Sequence, residues 1–592
     1  MHPVIYLLRK IRHYDPGMYA VIAANTLLSA LYPFIWVVVP ALILRFGTMW
    51  STGTLIAIVA GMGLLASICG FSISFLTGNY RMRMNGVRYN LIRDLMRHSL
   101  TMPYQNTLTP KVLDDINFAN ETVGNPMRGA GGIILALLRL FGNLLAALGF
   151  MGLILGLSPW FMLAMMLLFT GTFYFSRKAD EVESAGWEET RGPERRWYQT
   201  STVAQDAAYK KDILLYETAP LIISYLKNFR AQIMVVLAGV MKRRLRLETL
   251  VCLLNLLRDI GLFAFIIHHL LAGRLDAGAF YMYSTGLAGF MTVAQAAMMD
   301  ISAIRREGKR FDSYIRLVDG DKSEDVKAQD TAVPDCGALV LENISFRYPN
   351  TEEDTLSGIS ITIPRGHKLA LVGENGAGKS TLIKLICRLY KPSKGRITLD
   401  GRDIWDIPEQ AYFSLLGVVF QDAMVLPFSL RENVLMGDTW DQVRYQRAME
   451  LSGLSAIARE LPRGDETILM RVLDDDGVDL SGGQQQALYL ARALYKNANA
   501  LLILDEPTAA LDSLAEKALY ERYGDMALGK ISIFVSHRLA STHFCDAVAF
   551  LKNGVIHEYG SHDQLIEESG EYAALYSIQS KYYLKEGVAQ DA

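Results

Sequence analysis

Nine consecutive residues, Gly373, Glu374, Asn375, Gly376, Ala377, Gly378, Lys379, Ser380 and Thr381, read G-E-N-G-A-G-K-S-T. They fit the phosphate-loop pattern G-x-x-x-x-G-K-[ST]. The glycines let the backbone turn tightly and bring its N–H groups against phosphate oxygens. Lys379 has the reach for β- and γ-phosphates, and the Ser380 hydroxyl suits Mg²⁺. Ahead of the loop, Leu369–Val372 reads as a buried strand; behind it, Thr381–Ile386 reads as a helix whose N-terminus faces the phosphates.

Four further stretches carry compatible chemistry. Val418–Asp422 follows an apolar strand, and its Gln421 is placed to touch Mg²⁺ or the attacking water. Ser481, Gly482, Gly483 and Gln484 open a helix and offer a second anion site. Leu501–Leu504 is an apolar strand ending in Asp505 and Glu506. Their expected roles differ: Asp505 holds Mg²⁺, and Glu506 polarises the water that attacks the γ-phosphate. Pro507 ends that strand, and Asp512 after it is counted with the nucleotide-binding residues. Phe534–Arg538 is another strand end, with His537 as a γ-phosphate contact. Tyr348, upstream of the phosphate loop, is aromatic and placed to stack on adenine. The implied cofactors are ATP and Mg²⁺.

These motifs occupy the last 250 or so of 592 residues, and the first half is very different. The chain is 51% hydrophobic and 20% charged, with positive mean hydropathy, which is unusual for a soluble protein of this length. A net charge of -2 gives no support for nucleic-acid binding. The five cysteines, Cys69, Cys252, Cys336, Cys387 and Cys545, lack paired spacing, which argues against a disulfide framework or structural zinc. Six apolar stretches are long enough to cross a bilayer: Met18–Leu44, Leu55–Thr77, Ile133–Leu157, Trp160–Phe175, Thr249–Leu271 and Ala277–Met299. No cleavable signal peptide is expected ahead of them.

The outer connections are short and nearly uncharged. The two long ones, Gly78–Gly132 and Ser176–Glu248, are rich in Arg and Lys, which puts them, both termini and the nucleotide half in the cytoplasm. Both long connections keep helical periodicity over Tyr80–Leu100 and Tyr216–Met241. Turns near Thr109–Phe118 and Ala207–Tyr216 are the expected docking elements. Within the spans Asn25, Arg139, Asn255, Arg258, Asp259, Gln295 and Asp300 stand out, since polar groups in lipid are costly. They read either as ties between helices or as substrate contacts. Tyr281, Met282, Tyr283, Met291, Met298 and Met299 make the sixth span soft, for packing or for an adaptable ligand surface.

Taken in order, G-E-N-G-A-G-K-S-T, V-F-Q-D, L-S-G-G-Q, L-L-I-L-D-E-P-T and V-S-H-R make the chain resemble an ATP-binding cassette (ABC) exporter of the half-transporter kind. The resemblance implies an all-α six-helix transmembrane domain with long cytoplasmic helical extensions, followed by an α/β phosphate-loop nucleotide-binding domain. The expected divisions are an interfacial helix at 1–14, a transmembrane domain at 15–318 with coupling helices near 109–118 and 207–216, a linker at 319–337, the nucleotide domain at 338–580 and a tail at 581–592. Two nucleotide domains close head to tail on two ATP molecules, each held between one phosphate loop and the partner's Ser481–Gln484 stretch. The expected activity is ATP hydrolysis coupled to alternating-access export of an amphipathic peptide, lipid or small molecule from a bacterial plasma membrane. A nucleotide-gated channel or regulatory subunit is the alternative. A second half-transporter subunit is required; a homodimer is favoured and a heterodimer is also open. Gln485, Gln486 and the Leu473–Gly477 stretch depart from the common pattern. With no peptidase segment ahead of the first span, leader cleavage by this chain is not expected.

Overall fold

The structure is a computed structural model that describes residues 2–107, 109–154, 159–320, 337–349, 351–496, 500–505, 524, 526–536 and 539–588. The chain divides into two compact units: Met1–Met102 with Thr107–Lys322, and Pro103–Asn106 with Ser323–Ala592. The expected linker falls almost wholly outside the described residues.

The first unit is helical. A short helix, Pro3–Tyr14, leads into the long helices Met18–Phe46, Thr52–Thr101, Gly129–Ile154, Pro159–Gln205, Ala219–Leu271 and Ala277–Gly320. Among the described residues, five helices are long and apolar enough to cross a membrane. The remaining expected span, Trp160–Phe175, lies at the start of Pro159–Gln205, where the side chains up to residue 166 are outside the described set. The 50 residues of Thr52–Thr101 extend about 75 Å at 1.5 Å per residue. A hydrocarbon core is about 30 Å thick, so this helix continues well past the membrane, as its charged second half anticipates.

Small residues bring these helices together, because dispersion contacts between close backbones replace the hydrophobic effect inside lipid. A Cβ on Gly149 would sit 2.5 Å from the Phe34 ring, and one on Gly289 would sit 2.7 Å from Phe150. Those two rings stack at 4.4 Å. Gly186 lies equally close to Val240, joining Pro159–Gln205 to Ala219–Leu271. Glu307 is buried and accepts from the Gly129 amide at 2.7 Å, which satisfies the N-terminus of the Gly129–Ile154 helix. Asp94 receives both Lys10 and the Tyr14 hydroxyl, and so docks the first helix.

The second unit holds two sheets. Strands β1 (Ala338–Phe346), β2 (Leu356–Pro364), β4 (Lys394–Leu399) and β5 (Arg402–Asp403) form an antiparallel sheet ordered β2-β1-β4-β5. Strands β3 (Lys368–Gly373), β6 (Leu416–Val419), β7 (Leu501–Asp505), β8 (Ile531–Val535), β9 (Ala547–Lys552) and β10 (Val555–Gly560) form the other, ordered β10-β9-β3-β8-β7-β6. Strands β9, β3, β8, β7 and β6 run parallel, and β10 is an antiparallel edge. The central strands β7 and β8 are buried along their whole length. That is why, apart from Ser532 and the terminal Asp505, their sequences are apolar rather than alternating.

Candidate functional site

In an open α/β sheet, ligands bind outside the carboxyl ends of the strands. The register puts the predicted chemistry there. Leu371 of β3 pairs with Val535 of β8, and Val535 pairs with Asp505, the last residue of β7. Leu504 in turn pairs with Val419, the last residue of β6, two positions before Gln421. The phosphate loop leaves the end of β3. Four neighbouring strands therefore bring the phosphate loop, Gln421, Asp505 and Ser536 to one edge.

The phosphate loop is held open by its glycines. Gly373, Gly376 and Gly378 have φ of +152°, +82° and +102°, conformations that a side chain rarely tolerates. At Gly378 a Cβ would also lie 2.6 Å from Leu356 Cδ2, and at Gly373 one would lie 2.1 Å from the Leu551 carbonyl oxygen. Lys379 Nζ donates to the carbonyl oxygens of Gly373 and Glu374 at 2.8 and 2.9 Å, so the ammonium lies across the loop. Ser380 is exposed at the start of the Lys379–Ile386 helix, whereas Thr381 is buried and shares a 3.1 Å hydrogen bond with the Tyr348 hydroxyl. Ser380, Gln421 and Asp505 supply oxygen donors of the type that Mg²⁺ takes, and the glycine cradle suits a triphosphate. Behind the helix, burial pushes the Cys387 thiol up to about 12, which keeps it protonated and unreactive.

Ser481 begins the Gly482–Tyr495 helix as its N-cap. Gln484 N donates to Ser481 Oγ at 3.4 Å, and Gln484 Oε1 accepts from Ser481 N at 2.9 Å. In this reciprocal cap the Gln484 side chain bonds the start of its own helix. Glu506, Asp512 and His537 lie outside the described residues.

Two residues not singled out from sequence hold this region together. Asn433 is completely buried on the Leu430–Leu435 helix, and Arg492 lies on the Gly482–Tyr495 helix. Arg492 donates to the Asn433 carbonyl (2.7 Å), to Asn433 Oδ1 (2.6 Å) and to the Met424 carbonyl (2.7 Å). The only local sign was the S-x-x-E spacing of Ser429 and Glu432, which does form a capping box. Hydrogen bonds from the Ser429 amide and hydroxyl hold the Glu432 carboxyl below the ordinary range.

In the first unit several of the polar candidates pair with one another. Arg139 Nε and Asn143 Nδ2 donate to the two oxygens of buried Asp300, at 2.9 and 3.0 Å, which ties Gly129–Ile154 to Ala277–Gly320. Arg258 bonds Asp259 and Asn255 of its own helix, and Asn25 accepts from Thr77. Gln295 and Met299 are exposed, whereas Met282, Tyr283 and Met291 take part in packing. The first expected docking turn lies mostly on a helix, Pro110–Gly124, of the first unit; Pro110 is its first residue, a position that suits proline. Tyr104, on the separate turn Tyr104–Thr107, packs against the core of the second unit. The second turn includes the exposed helix Ala207–Leu215, capped by Asp206.

Residues 356–509, from the second strand through the Asp505 strand end, match the ABC transporter family. The chain thus carries an ABC transporter domain behind a helical first unit, and as a whole it shares the fold of an ABC exporter. The particular resemblances point two ways. The chain is 37% identical over 312 residues to the ATP-dependent lipid A-core flippase of Cupriavidus pinatubonensis, a match covering 50% of this chain and 51% of that protein. It is 27% identical to the nisin transport ATP-binding protein of Lactococcus lactis, covering 87% of this chain and 85% of that one. The subtilin transport ATP-binding protein of Bacillus subtilis is similar over 86% of this chain at 25% identity. The chain thus spans about half the length of the flippases it matches and most of the peptide transport proteins. In fold, a bacterial Atm1-family ABC exporter with ATP bound superposes with a TM-score of 0.80 over 97% of this chain and 99% of that one, at 19% identity.

Proposed function

We propose that this chain is one half of an ATP-driven exporter, working as a homodimer in a bacterial plasma membrane with its nucleotide domains in the cytoplasm. The observation that carries the proposal is the gathering of the phosphate loop, Gln421 and Asp505 at one sheet edge, with Ser481 and Gly483 at a separate helix start. One chain presents both halves of a nucleotide sandwich, and a second copy brings complementary halves together.

In this reading Tyr348 takes the adenine face, and the loop amides and Lys379 bind the phosphates. Ser380, Gln421 and Asp505 would hold Mg²⁺, which neutralises phosphate charge when bound. Glu506 accepts the proton of the water that attacks the γ-phosphate, and His537 orients that phosphate. Hydrolysis separates the two domains, and the long helices pass the motion to the spans. The substrate class is amphipathic, a lipid or a peptide, in keeping with the similarity to both lipid A-core flippases and peptide transport proteins.

The test is ATPase activity of the purified chain in lipid nanodiscs, screened against pooled lipids and peptides. Cooperative hydrolysis without a second subunit is expected, with Glu506→Gln abolishing turnover while fluorescent ATP still binds. Normal turnover by Glu506→Gln would overturn the assignment of the base. An inactive monomer would overturn the homodimer, and the pool that alters the rate identifies the substrate class.

A further inference from the structure

Three tyrosines far apart in sequence form one line of ring contacts in the second unit. Tyr104 meets Tyr390 edge to face, with centroids 5.7 Å apart and planes at 88°. Tyr390 meets Tyr348 in the same way, at 5.4 Å and 85°. Phe346 closes the cluster, 4.9 Å from Tyr348 and 5.3 Å from Tyr390. Tyr390 is buried, and Tyr104 and Tyr348 are half-buried.

The position of Tyr390 in the chain adds a second connection. The Lys379–Ile386 helix begins at the phosphate loop, and the turn that ends it leads directly into Tyr390. At the front of this helix Thr381 bonds the Tyr348 hydroxyl. Phosphate loop, helix, Tyr390, Tyr348 and Thr381 therefore make a closed mechanical ring. The turn carrying Tyr390 is firmly held. Arg388 adopts a left-handed φ of +58°, donates to the carbonyls of Ile404 (3.2 Å) and Ile407 (2.6 Å), and lies 4.7 Å over the Trp405 ring. A ring on a rigid turn, close-packed on both sides, passes a displacement on rather than absorbing it.

We infer that Tyr390 is a positioning residue that couples nucleotide bound at Tyr348 to the Pro103–Asn106 segment through Tyr104. In sequence this segment separates the Thr52–Thr101 helix from the Pro110–Gly124 helix. Adenine on Tyr348 restricts that ring, Tyr390 transmits the restriction, and Tyr104 takes up a new position. By reciprocity the state of Tyr104 must alter nucleotide affinity by the same factor. The inference rests on the nucleotide site proposed above.

The test measures Mg-dependent binding of the fluorescent analogue mant-ATP to the full chain in nanodiscs. Tyr104→Leu should weaken binding about two- to tenfold, the range of one aromatic pair. In a Tyr390→Leu background the same change should have almost no effect, because the link is already broken. Tyr104→Phe and Tyr390→Phe should both preserve coupling, since both keep the rings that meet edge to face. Should Tyr390→Leu fail to fold, the contrast between Tyr104→Leu and Tyr104→Phe decides. An unchanged affinity in Tyr104→Leu, an equal loss in both Tyr390 backgrounds, or a loss in Tyr104→Phe matching that in Tyr104→Leu overturns the relay. Failure of the underlying site looks different: Lys379→Ala and Tyr348→Leu would then bind mant-ATP normally. If those two weaken binding and Tyr104→Leu does not, only the relay is wrong.

Discussion

Replacing Asn433 with alanine should destabilise the nucleotide unit far more than a single amide suggests. The Asn433 side chain is fully buried. Its Nδ2 donates to the carbonyls of Leu426 (2.9 Å), Phe428 (3.2 Å) and Ser429 (3.0 Å), and its Oδ1 accepts from the Leu426 amide (2.9 Å) and Arg492 (2.6 Å). Alanine leaves the Leu426 amide without that acceptor, at about 1–3 kcal/mol, and removes a charge-assisted bond of about 1.5–3 kcal/mol. Arg492 keeps the Asn433 and Met424 carbonyls, which bounds the loss at about 3–5 kcal/mol. For a domain of this size each kcal/mol shifts Tm by about 2–4 °C, so a fall of about 6–20 °C is expected. Scanning calorimetry of the full chain in nanodiscs would read it, with the nucleotide-unit transition identified by its rise on adding ATP. Arg492→Lys should recover only part of the stability, because an ammonium cannot reproduce the guanidinium fork. The double variant Asn433→Ala/Arg492→Ala should fall by less than the sum of the single changes, since removing the cation relieves its lost partner. A fall below about 2 °C for Asn433→Ala would refute this account.

Gly378→Ala must adopt φ near +102° and bring its methyl to 2.6 Å from Leu356; mant-ATP affinity should drop about tenfold or more with secondary structure intact by circular dichroism. His562 is buried, and burial first, then the neighbouring His543 ring, lowers its pKa below the ordinary value. The folded state thus disfavours the imidazolium, so His562 stabilises the unit above its unfolded pKa of about 6.5 and loses that contribution as pH falls toward the lower folded value. Melting of the nucleotide unit between pH 7 and 5 should show a smaller decline in His562→Gln than in the parent chain. Asp300→Ala should loosen the contact between Gly129–Ile154 and Ala277–Gly320, and an Asp300→Ala/Arg139→Ala cycle in lipid should return a coupling of about 0.5–2 kcal/mol.

The parts of the site that could be read from sequence are those whose geometry is local. A phosphate loop needs only three glycines, a lysine and a hydroxyl within nine residues, and its strand and helix flank it directly. The Ser481 helix start was equally visible, but the reciprocal cap made there by Gln484 was not. The spacing of Ser481 and Gln484 does not say which partner Gln484 takes, and in the folded chain it bonds Ser481. In the membrane unit, Arg139 and Asp300 were conspicuous as polar residues among apolar ones, but which carboxylate would meet which guanidinium depends on helix rotation. That rotation is set by the close approach of Gly149 and Gly289 to phenylalanine rings.

Sequence alone therefore determined that the chain has apolar helices followed by a nucleotide-binding domain, because hydrophobic runs and glycine-rich turns act over a few residues. The tertiary structure decided which strands are neighbours, and hence that the phosphate loop, Gln421 and Asp505 share one edge. It also decided that Tyr104 touches Tyr390, and that Asn433 and Arg492 close one network. Each of these contacts depends on burial and on partners distant in the chain, and burial is a property of the folded packing rather than of any local stretch.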